Sequence, residues 1–493
     1  MILSVSIWAP IVLGCLAFLF RSRGAQSFIA VLAGILFLSL ACSILGRFNL
    51  SLPDYQFIER GLWIEHYQIH YFLGLDGIGL PLLLLNFAIT LIVLLNTFFT
   101  VEKDIHVFQG LMLLMAGLVN GCFVALDIVL FYLFFEAMLI PMYLLIRRWG
   151  GKNRVYASYK FILYTLAGSL PMLVAIVYMH SIMGAGGALV ANFDISALKD
   201  SVAKGWFTLS DQKWLMWCFF VAFAVKVPMF PLHTWLPDAH SEAPTGGSMV
   251  LAAITLKIGG YGLLRFVLPI FPAVFALYQS TIIIFSLIAI VYVGLVALRQ
   301  TDIKRLIAYS SVSHMGFVTL GIAIKSSMGV QGAMAQMLSH GFVSAGMFAC
   351  VGALYHRMHT RQMEDYGGVA KVMPKLAVLA ILFAMANLAL PGTSGFVGEF
   401  GVILAVLKSN VGDIYALIAG LTLIVAASYT LYLCKRVFWG DVKNPDLKLV
   451  KDLSLGELLV LCSLALPVLW IGFYPNSVLK YSQSSVTALL QGK

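Results

Sequence analysis

Fourteen apolar runs, each long enough to cross a bilayer, follow one another along the 493-residue chain with little between them. A spanning helix needs about 20 mostly apolar residues, since each adds about 1.5 Å and the hydrocarbon core is about 30 Å thick. By that measure the runs fall at 2–20, 25–46, 74–100, 107–126, 128–147, 155–182, 213–236, 243–268, 273–299, 303–324, 328–354, 373–407, 412–436 and 455–474. No soluble domain fits between them; the longest polar stretches are 47–73, 183–212 and 437–454. With 61% hydrophobic and only 11% charged residues, the chain cannot cover a soluble body of this size. The expected fold is an all-α polytopic membrane protein, a single membrane domain over 1–493 with about 14 transmembrane helices.

The 32 basic and 22 acidic residues leave a net charge of +10, and their sidedness explains that excess. Loops after odd-numbered spans hold nineteen Lys and Arg, and the opposite loops hold ten. Basic loops stay in the cytoplasm, so both termini are expected on the periplasmic side of a bacterial inner membrane. The charge is a topology signal and carries no hint of nucleic acid; the bilayer is the expected surrounding. Arg21 and Arg23 follow the first apolar run instead of preceding it, so that run reads as a retained span and not a secretory signal. All seven cysteines lie in apolar stretches without a CxxC pair, giving no support to disulfides, zinc or iron–sulfur clusters. Haem would want facing histidines on spanning helices, whereas His356 and His359 fall in a loop and His66 and His70 outside the membrane. No cofactor-binding or metal site is therefore expected, nor does any phosphate loop or hydrolytic triad stand out.

Function narrows to the charges left inside spans. An ionised residue at mid-membrane costs about 2.5–3.5 kcal/mol on insertion scales and persists only with a partner, water or a task. Glu136 (FYLFFEAMLIPMYLL), Lys226, Lys257 (LAAITLKIGGYGLLRF) and Glu399 (NLALPGTSGFVGEFGVIL) are such residues. Their bland reading is a Glu–Lys pair that only stitches two helices. Lys160, six residues into its helix, is placed to snorkel to the interface. His314 and His340 lie in spans and His233 close by; imidazole, with a pKa of about 6.5, passes protons at cellular pH. The bland alternative is a satisfied core histidine.

Two spans are interrupted. Pro228 and Pro231 remove donors and release the carbonyls of Ala224 and Val227. PGTSG at 391–395 divides a run too long for one regular span. Irregular backbone at this depth must face protein or a watery cavity, and paired broken helices point to an ion path. Spans four to eight (107–268) and nine to thirteen (273–436) form two five-helix sets, each broken in its fourth helix. Five is odd, so the second set is expected to be inverted relative to the first. Lys226 precedes its break and Glu399 follows its own.

The stretches KVPMFPLHTWLPDAHSEAPTGGS (226–248) and DIKRLIAYSSVSHMGF (302–317) resemble the antiporter-like membrane subunits of respiratory complex I, which are similar to the large subunits of Mrp-type sodium/proton antiporters. Glu399 resembles the branch with glutamate where the L and N types usually carry lysine, and the long lateral helix of the L type is not seen after the last span. The resemblance implies proton translocation driven at a distance by NADH–quinone electron transfer. NADH, FMN, iron–sulfur clusters and quinone would belong to partner subunits, and the L and N subunits would be neighbours. It also implies that Glu136 pairs with Lys226, that Lys257 is the central lysine, that Glu399 is the exit residue, and that His233, His314 and His340 connect them.

On this reading the carboxylate of Glu136 holds Lys226 protonated. Separating the two releases a proton toward Lys257, and onward through His314, His340 and ordered water to Glu399. The alternatives are an Mrp-type antiporter subunit using the same groups for sodium exchange, and a passive membrane scaffold.

Overall fold

The computed structural model describes residues 1–185 and 192–492. It opens with two apolar helices, α1 (Ile2–Leu19) and α2 (Arg23–Arg47). The polar connection expected at 47–73 then folds as an antiparallel hairpin, β1 (Gln56–Ile64) and β2 (Ile69–Leu75), with Gly61 opposite Tyr71 and Leu62 opposite His70. This is the one sheet among the described residues, and it shortens the next span. The third helix, α3 (Gly79–Thr100), starts only after Asp76, whose Oδ1 accepts from the Gly79 amide at 2.9 Å. A carboxylate there satisfies an amide that the first helical turn leaves unpaired.

The chain continues through α4 (Ile105–Val124), α5 (Ile128–Ala137) and α6 (Leu139–Trp149). A single helix was expected over 128–147. Pro141 lacks the amide that would bond the Ala137 carbonyl, and the regular ladder is interrupted at Met138, two residues past Glu136. The next elements are α7 (Arg154–Ala185), the short α8 (Ile195–Ala203) and α9 (Leu209–Lys226), which opens on a Thr208/Asp211 capping box. A break separates α9 from α10 (Trp235–Glu242).

The second half comprises α11 (Thr245–Ile270), α12 (Gln279–Leu298), α13 (Ile303–Ala323) and α14 (Ser327–Met358). After these come α15 (Pro374–Asn387), α16 (Ser394–Leu407), α17 (Asp413–Val437) and α18 (Leu455–Phe473), and a short α19 (Gln483–Leu490) closes the described chain. Among the described residues, twelve helices are long and apolar enough to span by themselves, with α5 and α6 counted as one. The broken elements α9/α10 and α15/α16 occupy the two further expected runs.

Burial sorts these helices into layers. α11, α13 and α14 are enclosed almost all round, while α1, α2, α17 and α18 turn most of their surface outward. Phe28, Leu38, Leu417, Ile424 and Leu466 are among the exposed apolar side chains of that outer layer, as a lipid-facing surface requires. Both ends of the chain meet the hairpin region: the terminal amine of Met1 pairs with Glu59 at 2.8 Å, and Ser484 donates to the Leu50 carbonyl at 2.8 Å. The termini therefore share one face.

Candidate functional site

The first break puts a lysine at a helix end deep in protein. Pro228 and Pro231 stop α9 at Lys226, and the carbonyls next to the break find new donors. Ala224 O accepts from the Met229 amide at 2.8 Å, and Val225 O from the Trp235 indole at 3.0 Å. Lys226 is buried, with its ammonium 5.1 Å from the centre of the Phe135 ring and 5.9 Å from that of Phe161. Such π faces stabilise a desolvated cation.

The expected contact between Glu136 and Lys226 is not closed. Neither carboxylate oxygen of Glu136 has a hydrogen-bond partner among the described residues. The contacts described for the Lys226 ammonium are the faces of Phe135 and Phe161, and no ion pair with Glu136 is formed. His233 lies buried within the break, its Nδ1 without a described partner and its ring 5.8 Å from Phe230. Lys160, the residue placed to snorkel, is half-buried. It bonds Asp238 of α10 at 2.6 Å, and Arg305 of α13 holds the other oxygen of that carboxylate at 2.9 Å.

The remaining expected residues form a nearly continuous buried line. Lys257 Nζ donates to the Ala252 carbonyl at 2.6 Å, within a widened π-turn of α11, and lies 2.6 Å from His340 Nδ1 on α14. Wide turns of this kind concentrate at functional positions. The rings of His340 and His314 are 6.0 Å apart. His314 Nδ1, on α13, is 2.5 Å from Glu399 Oε1 on α16, which also accepts from Gln336 Nε2 at 3.0 Å. The order is thus Lys257, His340, His314, Glu399, the reverse of the expected order for the two histidines. It follows from which helix neighbours α11: α14 packs on its widened turn, and α13 and α14 together meet α16.

The second break fits this line closely. Beyond Asn387 the chain turns through Ala389 and Gly392, both with positive φ, before α16 begins at Ser394. Glu399 follows Gly398, where a Cβ would lie 2.7 Å from the backbone N and Cα of Gln336. Only glycine permits that approach, and the approach brings Gln336 to the carboxylate.

Several residues of the site were missed by pattern reading. Tyr429 OH is 3.1 Å from His314 Nε2. His240 is fully buried, stacked 4.7 Å from Phe348, with both ring nitrogens unpaired among the described residues. Lys304, one of the nineteen charges tallied for the odd loops although it falls at the start of the 303–324 run, is buried and donates to the Ala243 carbonyl at 2.7 Å. It also lines a cavity of about 580 Å³ with Glu242, Tyr355 and Arg361. Arg265, one of the ten charges tallied for the opposite loops although it falls within the 243–268 run, lies buried in α11 and binds Asp76 at 2.5 Å, Tyr55 at 2.9 Å and Tyr261 at 3.1 Å. A signal for Arg265 was available: Lys257, Tyr261 and Arg265 recur every fourth residue, one stripe of a helix. Lys304 and Tyr429 carried none.

Carboxylate, ammonium and imidazole groups that touch one another singly, in a protein interior, suit the passing of protons more than chelation. Residues 125–425 match the family profile "NADH:quinone oxidoreductase/Mrp antiporter, TM". The chain is 42% identical to NADH-quinone oxidoreductase subunit M of Rickettsia prowazekii (strain Madrid E), over 99% of this chain and 98% of the relative. Its fold is similar to a chain of respiratory complex I from Thermus thermophilus with bound NADH, at a TM-score of 0.88 and 31% identity, covering 99% of this chain and 98% of that one. A chain of the Mrp complex from Dietzia sp. DQ12-45-1b shares the fold at a TM-score of 0.86, with 20% identity over 99% of this chain and 97% of that one. The chain belongs to the NADH:quinone oxidoreductase/Mrp antiporter membrane family, on the side of its subunit M members.

Proposed function

We propose that the chain is a proton-translocating, non-redox membrane subunit of an NADH:quinone oxidoreductase, working beside L- and N-type neighbours in a bacterial plasma membrane. NADH, FMN, iron–sulfur clusters and quinone act in partner subunits, and both termini face the periplasm. The single observation that carries the reading is the buried line Lys257–His340–His314–Glu399, with contacts of 2.6 Å and 2.5 Å at its two ends. The ring centres of the two imidazoles lie 6.0 Å apart, and a water between them would complete the line.

In this scheme Glu136 and Lys226 form the gate, and Lys226 and His233 lie at the first break. The open arrangement of Glu136 and Lys226 is the state in which the ammonium has lost its closest anion. A proton released there moves to Lys257, then through His340 and His314 to Glu399. The two five-helix sets, 107–268 and 273–436, act as inverted repeats, each contributing one half-path at its broken helix.

The test uses inverted membrane vesicles carrying Glu136→Gln, Lys257→Ala or Glu399→Gln. NADH oxidation by an artificial acceptor reports assembly, and quenching of an acridine dye reports proton uptake. Assembled enzyme with lost uptake supports the scheme; normal uptake in any of the three refutes it. The relatives' names favour this reading over sodium exchange, and vesicles in sodium-free buffer separate the two.

A further inference from the structure

Outside the proton line, three segments distant in sequence bring one imidazole and two carboxylates together on the face that carries the termini. His70 lies on β2, Asp127 caps α5 and Asp194 stands just before the first residue of α8. Their donor atoms all lie within 4.8 Å of one another. The frame that holds them is backbone: Leu126 N bonds Phe72 O at 2.9 Å, Ile128 N bonds Phe193 O at 2.9 Å, and Ile195 N bonds Leu126 O at 3.0 Å. The group is therefore preorganised by three chain segments and does not depend on surface rotamers.

Its free valences point to a ligand. Asp194 is only 4% exposed, yet its Oδ1 has no hydrogen-bond partner among the described residues, and neither has His70 Nδ1. These two atoms face each other across 3.8 Å. The other Asp194 oxygen accepts from Arg60 at 2.7 Å. Asp127 Oδ1 accepts from the amides of Val129 at 2.9 Å and Leu130 at 3.1 Å, and its Oδ2 accepts from the His70 amide at 3.0 Å. Each hydrogen-bonded carboxylate oxygen keeps its orientation through these bonds, as second-layer contacts do in metal sites.

We propose that His70, Asp127 and Asp194 form a binding site for a zinc-class divalent cation. Bonds of about 2.0–2.2 Å to nitrogen and carboxylate oxygen fit between donors spaced as His70 Nδ1 and Asp194 Oδ1 are, with water completing a tetrahedron. Calcium, which takes about 6–8 oxygen ligands, suits a one-imidazole site poorly. Two carboxylates against Arg60 leave one negative charge for the cation to meet. Binding would clamp the hairpin and α8 to the start of α5, the helix that carries Glu136.

The test is zinc binding to the purified full chain in lipid nanodiscs, measured by competition with a chromophoric chelator, together with zinc X-ray absorption. The expected result is one retained zinc per chain with one imidazole nitrogen and oxygen neighbours. His70→Gln, which leaves the backbone amide bonded to Asp127, weakens it by more than the about 10–100-fold that loss of an outer partner of a ligand costs. His66→Gln, at an exposed histidine of the same hairpin, leaves it unchanged. No retained zinc, binding by exposed histidines only, or equal binding in His70→Gln overturns the proposal. The absorption spectrum of the unmodified chain decides the matter even if a variant fails to fold: a bound zinc without an imidazole neighbour refutes it.

Discussion

Replacing Gly398 with alanine adds one methyl group at the contact between α14 and α16. The new Cβ would stand 2.7 Å from the backbone N and Cα of Gln336. Carbon atoms settle at about 3.5–4.0 Å, so the helices must separate by about 1 Å. The Gln336–Glu399 bond is 3.0 Å long, and the same displacement takes it beyond hydrogen-bonding range. Overpacking of this size costs about 1–3 kcal/mol of stability, which an assembled membrane complex tolerates. Function suffers more, because misplacing a reacting group by about 1 Å can lower a rate by about 100-fold. In inverted vesicles, acceptor-linked NADH oxidation should stay near normal while dye quenching falls about tenfold or more. Gln336→Ala in the same chain should not rescue it, since that change removes the side-chain amide from Glu399 and leaves the 2.7 Å clashes with the Gln336 backbone. Full proton uptake by assembled Gly398→Ala enzyme would refute the claim that this close approach positions Glu399.

Three further outcomes follow from particular contacts. Asp76→Asn keeps the cap on α3 but leaves Arg265 buried without its anion, at a cost of about 3–5 kcal/mol. Thermal aggregation assays should show that loss, and Asp76→Asn with Arg265→Gln should recover part of it; an unshifted single variant would contradict the buried pair. Tyr429→Phe removes only the hydroxyl at His314 Nε2, a bond worth about 0.5–1.5 kcal/mol, so uptake should fall a few-fold with assembly intact. Glu59 gives a pH dependence. Burial opposes its ionisation, but the terminal amine, Ser4 and two backbone amides outweigh that and lower its pKa below 4.5. A carboxylate with a lowered folded pKa adds stability that is complete above its unfolded value and is lost as pH falls through the folded one. The thermal unfolding midpoint should therefore fall as pH drops below about 4.5 in the unmodified chain, and a Glu59→Gln chain should lack that step.

Membrane residence was legible because hydropathy is a local property: a run of apolar residues must satisfy its own backbone in lipid, whatever its neighbours do. The same holds for the breaks at Pro228, Pro231 and PGTSG, since a missing amide disrupts its own helix. Glu136, Lys226, Lys257 and Glu399 were conspicuous for the cost of their charge. The hairpin over 56–75 was not, because its polar alternation resembles an ordinary connection and its pairing is settled by the packing of α1 and α5 against it. Nor was the placement of Arg265 and Lys304, which a loop tally assigns to water although each lies buried with an acceptor.

By itself, then, the amino-acid sequence determined the solvent, the helices, the two interruptions and the charged residues that a bilayer tolerates only for a reason. Tertiary structure alone decided which of those groups touch. It set Phe135 and Phe161 around Lys226, ordered His340 before His314, and brought Gln336 onto Glu399 through the gap at Gly398. It also gathered His70, Asp127 and Asp194 from three separate segments. The physical reason is range: periodicity and helix breaking act within a few residues, whereas a contact between α11, α13, α14 and α16 depends on how whole helices cross.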